Sequence, residues 1–255
     1  MRTGRSSFIG SGVGSALAQG FALVLGGGTL MGFQLGFDGA MVLRASTVFG
    51  AIMALVIRAW PTHHPFQRFG AANQVTAFRA ALVSLLAGFI GEPYTQATAW
   101  TILALAALAT TLDGVDGWLA RRSGLSSALG ARFDMETDAL LILVLTVLVW
   151  RFERAGAWVL GSGALRYVFV ASGWALPWMR RPLPPSRRRQ SACVLQIVGL
   201  IVALLPMMVP PNASWIAAAS LAVLSYSFMV DTVWLWRRGP AAAGRHTFAS
   251  STHGP

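Results

Sequence analysis

The acidic residues of this chain are few and strongly clustered. There are nine among 255 residues, and five of them lie within one short segment: Asp113, Asp116, Asp134, Glu136 and Asp138. The apolar runs on both sides of the segment are long enough to span a bilayer, so we expect the acids at or near a membrane surface. Like charges beside hydrocarbon repel one another and are costly to desolvate. A bound cation would relieve both costs.

The spacing of the aspartates predicts two antiparallel helices that direct carboxylates at each other. Asp113 and Asp116 are three residues apart and Asp134 and Asp138 are four apart, so each pair shares one helical face. Residues 122–127 would turn the chain between the helices. The same two faces carry four further residues of interest: Gly117, Ala120, Arg121 and Gly130.

Carboxylates arranged in this way favour metal-assisted phosphoryl chemistry. Carboxylate oxygens suit Mg²⁺ or Mn²⁺, which also bind substrate phosphates. Four carboxylates can hold two ions about 3.5–4 Å apart, an arrangement that stabilises displacement at phosphorus. Gly117 and Ala120 leave room for a ligand to approach the backbone, and Arg121 is placed to pair with a phosphate.

The motif D-x2-D-G-x2-A-R-x8-G-x3-D-x3-D, over residues 113–138, resembles the signature of the CDP-alcohol phosphotransferase family at all eight fixed positions. The resemblance implies that Asp113, Asp116 and Asp134 ligate metal, and that Asp138 ligates metal or acts as the catalytic base. It also implies a set of residues that contact the cytidine diphosphate: Asn73, Thr76, Asp116, Gly117, Ala120, Arg121 and Gly130.

Composition indicates an integral membrane protein. The chain is 55% hydrophobic and only 11% charged, whereas soluble domains carry roughly 25% charged residues. We expect an all-α fold of about eight spans. Residues 1–69 would form a transmembrane hairpin with a connector, 70–238 the six-helix catalytic domain that the resemblance implies, and 239–255 a disordered cytoplasmic tail.

The net charge of +11 comes from arginine alone. Because the arginines flank apolar runs, they favour the positive-inside rule over a nucleic-acid partner. With eight spans and a cytoplasmic N-terminus, sixteen of the 20 arginines fall on the cytoplasmic side. Both termini and the aspartates would then face the cytoplasm, and the enzyme would lie in the inner membrane.

Glycines recur every four residues in the first apolar run, at Gly28, Gly32 and Gly36. Such a face predicts close helix packing and could contribute to a homodimer. The run from Val13 to Phe37 continues well past a loose cleavage-like sequence, so we favour a retained span over a signal peptide.

Other polar residues near the predicted spans have two interpretations each. Asn73 and Thr76 share a helical face with Arg79, and helix capping by Asn73 with snorkelling by Arg79 would explain them without a nucleotide. Arg166, inside the sixth span, would meet a substrate phosphate or form an ion pair with Asp231.

The basic segment 180–190 also has two interpretations. Its arginines either touch anionic lipid headgroups or bind a phosphate of the acceptor or the lipid. The three candidates for the second role are Arg187, Arg188 and Arg189.

The resemblance implies transfer of a substituted phosphoryl group from a CDP-linked donor, most simply CDP-diacylglycerol, to an alcohol with release of CMP. Inositol, inositol phosphate, glycerol phosphate and serine are all acceptors within the family. The run from Asp134 to Asp138 is similar to that of phosphatidylinositol synthases, but Ala139 stands where those enzymes commonly have arginine.

Two other functions compete with this interpretation. A membrane prenyltransferase also uses aspartate-rich helices and Mg²⁺, but it would need a second acidic motif. An ion transporter would be expected to place acids at several depths, whereas these crowd one end of two neighbouring helices.

Overall fold

The computed structural model describes residues 12–63, 70–123 and 128–238. For residues 59–63, 115–123 and 128–129 it describes the backbone and not the side chains. Within these ranges the chain forms helices and no strand. The α-helices are α1 (Val13–Leu35), α2 (Gly39–His63), α3 (Ala71–Gly88), α4 (Gln96–Ser123), α5 (Ala128–Arg151), α6 (Leu160–Ala175), α7 (Arg187–Ala203) and α8 (Asn212–Arg238). The predicted all-α architecture is confirmed, and each predicted apolar segment corresponds to a helix.

Four of the described helices are long and apolar enough to cross a membrane. They are α1, α8, the Gly39–Arg58 part of α2 and the Gln96–Gly114 part of α4. The other helices are shorter or carry more charge. At 1.5 Å per residue, the 16 residues of α6 and the 17 of α7 extend about 24–26 Å, less than the roughly 30 Å hydrocarbon core.

The sixth predicted span is not one continuous helix. A short 3-10 helix, Ala157–Val159, leads into α6, and a second, Pro177–Arg180, follows it. Because proline has no backbone N–H to donate, Pro177 cannot continue the hydrogen bonding of α6. The predicted Ala157 to Met179 segment is therefore divided into three pieces.

Helix α3 lies at the centre of the assembly and contacts α1, α2, α4 and α5. From Arg79 to Gly88 every residue is buried, as expected of a helix surrounded by other helices. The buried polar residues of this helix, which include Asn73, Thr76 and Arg79, therefore lie among other protein elements. This arrangement brings the polar start of α3 towards the aspartate segment.

The N-terminal hairpin packs on α3 through a shared apolar core that also includes Phe133 of α5. Gly28 and Gly32 are buried in α1, and Gly28 lies against Val42 of α2 and Leu85 of α3. The predicted small-residue face is thus used for packing within the chain.

Gly36 does not belong to that face, contrary to the sequence-based expectation. It has a left-handed φ of 72° at the C-terminus of α1, and its N–H donates to the carbonyl of Gly32. Glycine adopts this conformation without the penalty a Cβ would bring. The residue therefore ends the helix.

Polar contacts also join α2 to α3. Arg44 forms an ion pair with Glu92, which follows α3, and its Nε donates to the carbonyl of Gly88 at 3.1 Å. A Cβ on Gly88 would lie 2.9 Å from the carbonyl oxygen of Met41. The two helices therefore touch through their backbones.

Candidate metal centre

Three of the four motif aspartates, one from α4 and two from α5, lie together beside α3. One carboxylate oxygen from each of Asp113, Asp134 and Asp138 lies within 4.8 Å of the others. Asp113 comes at the end of the apolar part of α4, and the other two occupy neighbouring turns of α5. The side chain of Asp116 lies outside the described residues.

Arg79 joins the three aspartates from α3. Its Nη2 lies 2.9 Å from Asp113 and 2.5 Å from Asp138, and its Nη1 lies 2.5 Å from Asp134. Its Nε donates to the carbonyl of Ala109 at 3.1 Å, one turn before Asp113 on α4. A single guanidinium therefore connects α3, α4 and α5.

Protein covers the Arg79 side chain almost completely, whereas the three aspartate side chains are partly exposed. The side chain of Arg79 is 1% exposed, whereas those of Asp113, Asp134 and Asp138 are 34%, 40% and 24% exposed. A buried charge must be paired to be tolerated, which explains why Arg79 lies against three carboxylates. The exposed part of each carboxylate can meet a ligand.

The donor set fits a hard divalent cation. Three carboxylates with oxygens within 4.8 Å of one another match the ligand type that Mg²⁺ and Mn²⁺ prefer. Their partial exposure leaves room for water or a substrate phosphate on the ion. The same aspartates are engaged by Arg79, so a cation would share or replace those contacts.

Two polar residues of α3, Asn73 and Arg79, do not have the capping and snorkelling roles that the sequence allowed. Gly70, not Asn73, is the N-cap of α3. Arg79 is buried, so it does not snorkel to the membrane surface. The proposed capping and snorkelling roles are therefore wrong.

The residues predicted to contact the nucleotide lie on α3, α4 and α5. Asn73 and Thr76 are buried, and the Thr76 hydroxyl donates to the carbonyl of Ala72 at 3.1 Å. Gly130 lies on α5 one turn before Asp134. Three residues lie on α4 with side chains outside the described set: Gly117, Ala120 and Arg121.

Arg166 pairs with Glu136, which the sequence analysis did not foresee. Its Nη2 lies 2.5 Å from a Glu136 carboxylate oxygen, joining α6 to α5. The suggested ion pair between Arg166 and Asp231 is wrong, because Asp231 pairs with arginines of α7. No spacing in the sequence marks Arg166 and Glu136, 30 residues apart, as partners.

Asp231 of α8 receives two arginines of the basic segment. Arg188 forms an ion pair with it and also donates to the Ser227 hydroxyl at 2.7 Å, while an Arg189 nitrogen lies 3.6 Å away. Asp231 is 7% exposed, so these contacts fix α7 against α8. Arg187, the first residue of α7, is exposed.

Comparison with known proteins agrees with the motif. A protein-family model described as CDP-alcohol phosphatidyltransferase matches residues 69–230. No curated protein and no solved structure matches the chain significantly. The matched segment is more than half of the chain and contains Arg79 and all three clustered aspartates. The chain therefore belongs to the CDP-alcohol phosphatidyltransferase family.

Proposed function

We propose that this protein transfers a phosphatidyl group from CDP-diacylglycerol to a small alcohol in the membrane, with release of CMP. Membership of the family supports phosphatidyl transfer in phospholipid biosynthesis, and four apolar helices support membrane integration. The convergence of Asp113, Asp134 and Asp138 is the observation that carries the proposal.

The aspartate cluster would hold the divalent cations of the reaction. Asp113, Asp134 and Asp138 are the ligands whose positions are described, and Asp116 is proposed as the fourth. Bound Mg²⁺ or Mn²⁺, two ions in our proposal, would neutralise the donor diphosphate and the departing CMP. The carboxylates would otherwise repel a diphosphate.

Asp138 is the proposed catalytic base. It would accept the proton of the acceptor hydroxyl as that oxygen forms a bond to the β-phosphorus. The bond from the β-phosphorus to the bridging oxygen would break, and CMP would leave with its electron pair. The products are a phosphodiester lipid and CMP. Asp138 is the least exposed of the three aspartates, at 24%, yet remains accessible.

The nucleotide would lie along the facing surfaces of α3, α4 and α5. Asn73 and Thr76 share the face of α3 that carries Arg79, and that residue touches the aspartates. We propose that these two residues and Gly130 line the cytidine diphosphate site. Three residues of α4 would complete it, with the arginine on a phosphate: Gly117, Ala120 and Arg121.

Four arginines are proposed to bind the acceptor or a phosphate. Arg166 would have to exchange its contact with Glu136 for a substrate phosphate. Arg188 and Arg189 would have to bind the phosphate while also paired with Asp231. Arg187 is exposed at the start of α7 and is the most accessible of the four.

Membrane orientation and assembly complete the proposal. The arginine distribution supports cytoplasmic termini and a cytoplasmic active site in the inner membrane. A homodimer would have to use a surface other than Gly28 and Gly32, because those glycines pack against neighbouring helices of the same chain.

A substrate panel tests the proposed reaction. Purified protein in nanodiscs is incubated with Mg²⁺, labelled CDP-diacylglycerol and, separately, inositol, inositol phosphate, glycerol phosphate or serine. We expect CMP release and a new phosphodiester lipid with one of these alcohols, and none of either with EDTA. Turnover of a prenyl diphosphate without CMP release, or ion flux without any transfer, would contradict the proposal.

A further inference from the structure

Arg79 lies where an internal cation is needed. Three carboxylates within 4.8 Å of one another repel strongly in a partly buried site. The guanidinium of Arg79 contacts all three, and a hydrogen bond to Ala109 holds it in place. The side chain therefore offsets the repulsion from within the protein.

The guanidinium and a divalent cation would use the same carboxylates. Arg79 contacts Oδ1 of Asp113, Asp134 and Asp138, and carboxylate oxygens of the same three residues lie close enough together to hold a metal ion. A cation entering from the exposed side would meet a fixed positive charge at short range. In a partly buried site this repulsion is stronger than in bulk solvent.

We propose that Arg79 is a positioning residue that acts as a resident counter-ion of the aspartate cluster and competes with the divalent cations for its carboxylates. Before the cations bind, Arg79 keeps the ends of α4 and α5 together. When they bind, it yields some or all of its carboxylate contacts, which lowers metal affinity. This inference rests on the proposed function, because it assigns the cations to the same aspartates.

Replacement of Arg79 tests its effect on metal affinity and its effect on stability separately. Full-length protein in detergent is compared as wild type, Arg79→Gln and Arg79→Lys, with Mn²⁺ affinity measured from the electron paramagnetic resonance of free Mn²⁺. We expect Arg79→Gln to bind Mn²⁺ at least about tenfold more tightly, because a repelling charge is removed. Arg79→Lys keeps that charge, so its affinity should stay nearer to the wild-type value.

Thermal unfolding supplies the second measurement. Without Mn²⁺, Arg79→Gln should unfold at a lower temperature than wild type, and added Mn²⁺ should raise its midpoint by more than it raises that of wild type. Arg44→Gln is the matched control, since Arg44 also contacts α3 and an acid, Glu92, away from the cluster. It should lower the midpoint and leave Mn²⁺ affinity unchanged.

The outcomes distinguish this inference from the proposed function. If wild type binds Mn²⁺ and Arg79→Gln binds it equally or more weakly, the inference fails and the metal centre stands. If wild type binds no Mn²⁺, the metal centre fails and the inference with it. An Arg79→Gln protein that folds only with Mn²⁺ would support the inference, because the metal would then replace the guanidinium. An Arg79→Gln protein that folds at no Mn²⁺ concentration would overturn the inference.

Discussion

Asp138→Asn should lower kcat for CMP release by about 10²–10⁴-fold, the usual contribution of a positioned general base. Asparagine has nearly the same shape as aspartate and keeps an oxygen that can accept a hydrogen bond, but its amide cannot take the acceptor proton. Turnover of labelled CDP-diacylglycerol with the preferred alcohol measures the effect. Size-exclusion chromatography verifies that the variant is folded.

Asp38→Asn is the matched control for this substitution. Asp38 is exposed and accepts a hydrogen bond from the N–H of Ala40 at the start of α2, a contact that asparagine can also make. Its activity should equal that of wild type. An Asp138→Asn enzyme that retained wild-type kcat would eliminate Asp138 as the base.

Gly163→Ala should destabilise the fold, because α5 and α6 touch through their backbones at this glycine. An added Cβ would lie 2.9 Å from Cα of Leu143 and 2.9 Å from Oγ1 of Thr146. Neither atom can move easily, since one is main chain and the other donates to the Leu143 carbonyl. Overpacking of this kind costs about 1–3 kcal/mol, to be measured as a lower unfolding midpoint in detergent.

The same substitution two residues earlier controls for helix propensity. A Cβ on Gly161 meets nothing within 4 Å, so Gly161→Ala gains only the stabilisation that alanine gives a helix, about 0.5–1 kcal/mol. Its unfolding midpoint should rise slightly. Equal midpoints for the two variants would show that α5 and α6 do not approach as closely as described.

The acidic motif carries most of what could be predicted about the site. Helical spacing alone places Asp134 and Asp138 on one face and requires a partner helix for Asp113, and the three do meet. The family resemblance followed from the same residues and was confirmed. Periodicity works here because the aspartates are near in sequence and each pair is carried by one helix.

Contacts between distant helices were beyond this kind of reasoning. Arg79 meets Asp134 across 55 residues, and Arg188 meets Asp231 across 43. Such partners depend on which helices pack together and on how far each helix is shifted along its neighbour. The periodicity of a single sequence specifies neither the pairing nor the shift. The sequence therefore leaves Arg79 with two interpretations, a polar face near the nucleotide or snorkelling to the membrane surface, and neither includes its contacts with the aspartates.

Apolar composition predicted helices better than it predicted spans. The eight apolar segments correspond to described helices, yet only four of these helices are long and apolar enough to cross a membrane by length and composition. Helix α3 shows why, because its residues 79–88 are all buried in protein and include an arginine. Hydropathy does not separate burial in protein from burial in lipid.

The most direct measurement is a Mg²⁺ titration of CMP release by wild type, Asp113→Ala and Asp134→Ala. If aspartates from α4 and α5 jointly hold the cations, loss of a ligand from either helix should abolish release at Mg²⁺ concentrations that saturate wild type. Excess Mg²⁺ should restore it partly at most. Wild-type Mg²⁺ dependence in both folded variants would show that the cations bind elsewhere.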